Sequence, residues 1–94
     1  MTSSGLMRRW AAEALAIALK EVVADAGLDV RRVEQRGAVL KLRIGFPPSQ
    51  TPSLKPKLGH KLRTLVKRAG FSARQFWHQV CSHRYCVTVW VVPE

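Results

Sequence analysis

Residues 76–91 read FWHQVCSHRYCVTVWV and hold two His, two Cys, two Trp and a Tyr, side chains in which the rest of the chain is sparing. Three chemistries are open to them. The first is metal binding: His78, Cys81, His83 and Cys86 form H-x2-C-x-H-x2-C, and all four residue types bind zinc. Structural zinc sites usually draw two ligand pairs from separate elements, whereas these four surround one hairpin tip. With a turn at Ser82-His83, His78 falls on the face of Val87 and Cys86 on the opposite face beside Gln79. The expectation is therefore that no metal and no other cofactor is held here. The second is a Cys81–Cys86 disulfide, which a wider loop allows and a reducing compartment disfavours. The third is acid–base catalysis at His83, where an imidazole moves a proton and the neighbouring Arg84 steadies a phosphate.

The elements that position these residues follow from periodicity. Met7, Trp10, Ala11, Ala14, Leu15, Ala18, Leu19, Val22 and Ala26 recur at spacings of three and four, one face of a helix over residues 7–26 that Gly27 stops. Leu58, Leu62, Leu65, Val66 and Ala69 predict a second helix over 57–69, stopped by Gly70. A large apolar residue, Leu28 or Phe71, follows each glycine, as in a Schellman cap. Ser53 is the candidate N-cap of the second helix, which leaves Pro56 in its first turn.

At an offset of 43 residues Leu15, Leu19, Val22, Val23, Ala26, Gly27, Leu28, Arg31 and Val33 fall on Leu58, Leu62, Leu65, Val66, Ala69, Gly70, Phe71, Arg74 and Phe76. This predicts a duplicated αββ unit, residues 6–46 and 57–93, joined by a Pro-rich loop at 47–56 within one domain spanning 1–94. In the first unit a hairpin turns at Arg36-Gly37, with Leu40, Leu42, Ile44 and Phe46 alternating against Val39, Lys41, Arg43 and Gly45. In the second, Phe76, Val80, Tyr85, Val87, Val89 and Val91 share one face, with Gln75, Trp77, Gln79, Cys86, Thr88 and Trp90 opposite.

The order α-β-β-α-β-β predicts an α+β fold: a four-stranded antiparallel sheet with strands A to D in chain order arranged A-B-D-C and two helices on one face. That is a circular permutation of the ferredoxin-like arrangement. It makes B and D central, and they are the more apolar strands. The uncovered face then carries Arg32, Lys41, Arg43, Trp77 and Trp90, side chains that can stack bases and meet phosphates. Packing under a terminus or across a homodimer interface is the competing account of the tryptophans.

Charge weighs in the same direction. Sixteen Lys and Arg against six Asp and Glu give +10, an excess usual in small domains that meet phosphates. On the second helix Lys57, Lys61, Arg63, Lys67 and Arg68 lie off the apolar stripe and add a basic surface. No apolar run approaches the ~20 residues of a membrane span. MTSSGLMRRW lacks the apolar core of a signal peptide, so the expectation is a cytoplasmic protein with reduced thiols.

Two stretches carry family resemblances. LVKRAGFSARQ followed by SHRY resembles HicA-type messenger-RNA interferase toxins, which implies a helix-Gly-strand unit leading to a catalytic His, here His83. Cys81 stands where that family has glycine, and a further hairpin replaces its ending. DAGLDV resembles the helix-ending motif of LAGLIDADG homing endonucleases, which use αββαββ units on DNA; the second copy, RAGFSA, lacks the carboxylate that their metal chemistry requires. The sequence thus ranks a non-enzymatic RNA- or DNA-binding domain first. A phage- or plasmid-type inhibitor that binds a host protein or ribonucleoprotein complex is second, and a small ribonuclease using His83 third.

Overall fold

A computed structural model describes the backbone of residues 2–47, 49, 54–81 and 84–94, and the side chains of these except 2–6, 75–81, 84 and 85. The chain runs α1 (Thr2–Asp25), β1 (Asp29–Arg36), β2 (Val39–Gly45), α2 (Pro56–Arg68), β3 (Phe71–Cys81) and β4 (Arg84–Pro93). The sheet is antiparallel with order β1-β2-β4-β3, the predicted A-B-D-C. The fold is α+β.

Helix α1 ends in a Schellman cap. Gly27 takes φ 77°, its N–H donates to the Ala24 carbonyl at 2.9 Å, and the Leu28 N–H donates to Val23 at 3.2 Å. Gly70, at φ 80°, ends α2 similarly by donating to Lys67 at 3.0 Å. α2 begins with Pro at its first position and Lys55 as N-cap, which makes no side-chain capping bond. The Ser53 cap was expected two residues earlier and lies outside the described residues.

One core joins both helices to the sheet. Leu15, Leu19 and Val23 of α1 and Leu58, Leu62 and Val66 of α2 pack with Leu40, Leu42, Ile44, Val87, Val89 and Val91. The strand residues alternate, so all six belong to one face and both helices cover that face. The other face is left without a helix.

Three expectations need correction here. The core side of α1 is Ala12, Leu15, Ala16, Leu19 and Val23: of the expected stripe Leu15 and Leu19 are buried and Ala11 and Val22 pack against the core, but Met7 is 64% and Trp10 59% exposed, and Ala14 is exposed. The buried arc overlaps the expected one at Leu15 and Leu19 but is rotated from it, and the interspersed Ala11, Ala14 and Ala18 give no size contrast to mark its edge. The β1–β2 turn is Gly37-Ala38, one residue later than expected, because Arg36 pairs with Val39; Gly37 supplies φ 58°. The third correction concerns β3. Gln75 pairs with Val89 and Phe76 with Thr88, the reverse of the expected alternation, and the register shifts between Phe76 and Gln79. A β-bulge inserts one residue there and flips the parity of everything before it.

Candidate functional site

The uncovered face is built in rows across the strands. One row runs Glu34–Lys41–Trp90–Arg74 and the next Arg32–Arg43–Thr88–Phe76, each neighbour a register partner. Side chains in such a row stand about 4.5–5.5 Å apart at Cβ. The face thus brings together Arg32, Lys41, Arg43 and Trp90, as the sequence predicted. It adds Arg74, which sequence reasoning missed because the bulge in β3 hides its register.

Trp90 is the centre of this arrangement. It is half-buried, flanked by Lys41 on one side and Arg74 on the other. The Lys41 ammonium lies 5.0 Å from its ring centroid, within cation–π range. Beside the ring a depression of about 240 Å³ is lined by Glu34, Arg36, Val39, Lys41 and Trp90. It is smaller than the ~300–1,000 Å³ typical of drug-sized pockets, and its mixture of one ring, two cations and one carboxylate suits a planar polar group.

The neighbouring row is electrostatically unbalanced. Arg32 and Arg43 face each other directly, which costs free energy for like charges. Arg32 is relieved by Glu34, its Nε 2.9 Å from Oε1. Arg43 has no such relief: its Nε is buried and makes no hydrogen bond, leaving a desolvated donor without an acceptor. Next to it a second bulge, between Val30 and Arg32, adds Arg31 to β1. The Arg31 stem lies over Gly45, where an added Cβ would come 2.9 Å from Arg31 Cγ, and its Nε is 3.9 Å from Asp29 Oδ2. A glycine closing an otherwise aliphatic and cationic strand was the sequence signal for this close approach.

Two aspects of the face differ from the expectation of an open surface. Thr88 is 1% and Cys86 0% exposed, so the lower half of β4 is covered on this side. Exposure is concentrated instead along β1 and the upper part of β2 and β4. Cys86 is also disulfide-bonded, and the chain's one other cysteine is Cys81. Reduced thiols are therefore corrected, and Cys86 is removed from the candidate zinc ligands because only a thiolate binds the metal. Among the described residues no group of His, Cys, Asp and Glu is arranged to hold a metal ion. The side chains of Trp77, His78, Cys81 and His83 lie outside the described ones.

The basic residues of α2 are placed elsewhere. Lys57, Lys61, Arg63, Lys67 and Arg68 are all exposed, on the helix layer behind the sheet. Lys57 and Lys61 line a groove of about 260 Å³ with Val22, Asp25 and Ala26 of α1, away from Trp90. Arg63 is better placed, since it shares a depression with Leu62, Ala73, Arg74 and Val89. Arg63 and Arg74 thereby link the helix surface to the uncovered face around the β3 edge. No helix among the described residues is long and apolar enough to cross a membrane. Compared with protein-family models, with curated proteins and with solved structures, the chain matches none.

Proposed function

We propose that the uncovered face binds single-stranded nucleic acid, with one base stacked at Trp90 and the flanking phosphates held by Arg36, Lys41, Arg43 and Arg74. The observation that carries this is Trp90 itself: a half-exposed indole between two cations, on a sheet face whose arginine Arg43 presents a buried donor with no acceptor. Stacking on an aromatic ring tolerates any base, and cations on either side follow the backbone. Arg32 adds charge partly offset by Glu34, and Arg63 extends the path toward α2. Lys57, Lys61, Lys67 and Arg68 contribute longer-range attraction rather than contacts to the same nucleotides. Trp77 belongs to the proposal as a second stacking residue. The domain acts by binding, without chemistry.

The fold carries a finer proposal. The two αββ halves are copies of one unit, and the whole is a circular permutation of the ferredoxin-like arrangement. Support comes from equivalent positions 43 apart with equal burial: Leu15 and Leu58, Leu19 and Leu62, Val23 and Val66 are all buried, and Gly27 and Gly70 share a positive φ.

The test is fluorescence anisotropy of labelled single-stranded RNA and DNA oligonucleotides at low salt. Trp90→Ala should weaken binding about 5- to 150-fold, the equivalent of about 1–3 kcal/mol per stacked base, while Trp90→Phe retains most of the affinity. No binding at low salt, or binding indifferent to both Trp90→Ala and Lys41→Ala, overturns the proposal. A nuclease-treated pull-down separates the competing class, since a partner protein retained after nuclease treatment points to a protein-binding inhibitor.

A further inference from the structure

The outward side of α1 is apolar where a surface helix should be polar. Met7, Trp10 and Ile17 are 64%, 59% and 63% exposed, and Ala14 between them is exposed as well. At 100° per residue these four centre directly opposite the buried stripe of Ala12, Leu15, Ala16, Leu19 and Val23. Their spacing of three, four and three is the a/d pattern of a helix seam. The three large side chains expose roughly 400 Å² together, within the ~300–600 Å² of patches that are often functional.

We infer that this stripe is a self-association surface, on which α1 of a second copy packs antiparallel. Three observations select that occupant. The first is size complementarity. An antiparallel seam pairs each a position with a d position, and pairing about residue 12 sets Met7 against Ile17 and bulky Trp10 against small Ala14, the large-to-small alternation that packs well. The second is charge along the helix. Arg8 and Arg9 precede residue 12 and Glu13, Lys20, Glu21 and Asp25 follow it, so antiparallel packing about that residue sets segments of opposite net charge alongside each other and parallel packing would not. The third is charge across the molecule. α1 holds three basic and three acidic residues and is neutral, so the whole +10 lies outside it. A second copy is repelled by the rest of the surface and tolerated on this one.

Two such patches remove about 800 Å² of apolar surface, and the flanking helix residues bring the total toward the ~1,200 Å² lower bound of specific interfaces. The interface is accordingly at the small end for specific association. It buries the outward side of α1 and leaves both uncovered sheet faces free, so it stands independently of the nucleic-acid proposal and is compatible with it.

Sedimentation equilibrium of the full chain from 5 to ~300 μM, in 0.5 M salt to screen the net charge, tests the inference. The expected result is a mass rising from 10.6 kDa to twice that value, with Ile17→Glu and Trp10→Glu each weakening association at least 10-fold and circular dichroism unchanged. Spin labels at Lys20→Cys then fix the orientation, at ~24 Å or more for antiparallel helices and ~10 Å for parallel ones. A monomer at every concentration overturns the proposal, as does a dimer indifferent to both Glu variants. A stripe that instead drives flotation with phosphatidylcholine vesicles, with no dimer in solution, also overturns it.

Discussion

Removing the Lys41 ammonium should change not only how tightly single-stranded nucleic acid binds but how steeply binding depends on salt. Among the described residues, the uncovered face has six cations. Arg31 and Arg32 face carboxylates at 3.9 and 2.9 Å, whereas Arg36, Lys41, Arg43 and Arg74 have none. For single strands each phosphate neutralised contributes about 0.7 to the slope of log K against log salt. Four uncompensated cations therefore set a slope near −2.8, equivalent to about a 50-fold loss of affinity between 50 and 200 mM salt. Lys41→Ala should reduce the slope to about −2.1 and the loss to about 20-fold. Lys41→Ala also removes the cation from the Trp90 ring, which lowers affinity at every salt concentration without altering the slope. The assay is anisotropy of a labelled oligonucleotide at five or six salt concentrations for the wild type, Lys41→Ala and Lys57→Ala. A slope reduced by Lys57→Ala and untouched by Lys41→Ala would place the phosphates on α2 and refute the assignment to the sheet.

Other predictions concern the scaffold. Gly45→Ala places a Cβ 2.9 Å from Arg31 Cγ, and should destabilise by about 1–3 kcal/mol through overpacking, read as a lowered denaturation midpoint; an unchanged midpoint would mean that Arg31 does not lie over Gly45. Leu42→Ala, at a position 2% exposed in the core, should cost about 2–5 kcal/mol, measured by urea unfolding, and a cost under 1 kcal/mol would contradict its placement. Because Cys86 is disulfide-bonded, iodoacetamide without reductant should leave the intact mass unchanged; carbamidomethylation under those conditions would show free thiols.

Legibility in the sequence tracks the strength of the periodic signal. Leu40, Leu42, Ile44 and Phe46 alternate without interruption, and the structure buries all four, so β2 and with it Lys41 and Arg43 were readable. Leu58, Leu62 and Val66 were equally plain, and Gly27 and Gly70 marked their caps because only a positive φ closes such a turn without strain. The failures come from places where one residue changes parity. The bulge in β3 moved Gln75 and Phe76 to the opposite register and hid Arg74, and the bulge in β1 brought in Arg31. In α1 the interspersed alanines blurred the edges of the apolar arc, and only packing against the sheet fixed which way it faces. The disulfide at Cys86 is a pairing that spacing alone leaves open. At the candidate site, the sequence supplied the residue types and the rows of the sheet supplied their company, above all the flanking of Trp90 by Lys41 and Arg74.

The most direct test of the central claim is a heteronuclear NMR titration of the uniformly labelled protein with a short single-stranded oligonucleotide. The account predicts shifts of the Trp90 indole N–H and of the Arg43 Nε–H, with backbone changes grouped on Lys41, Arg43, Trp90 and Arg74. Shifts confined to α2, or no shifts at low salt, would contradict it.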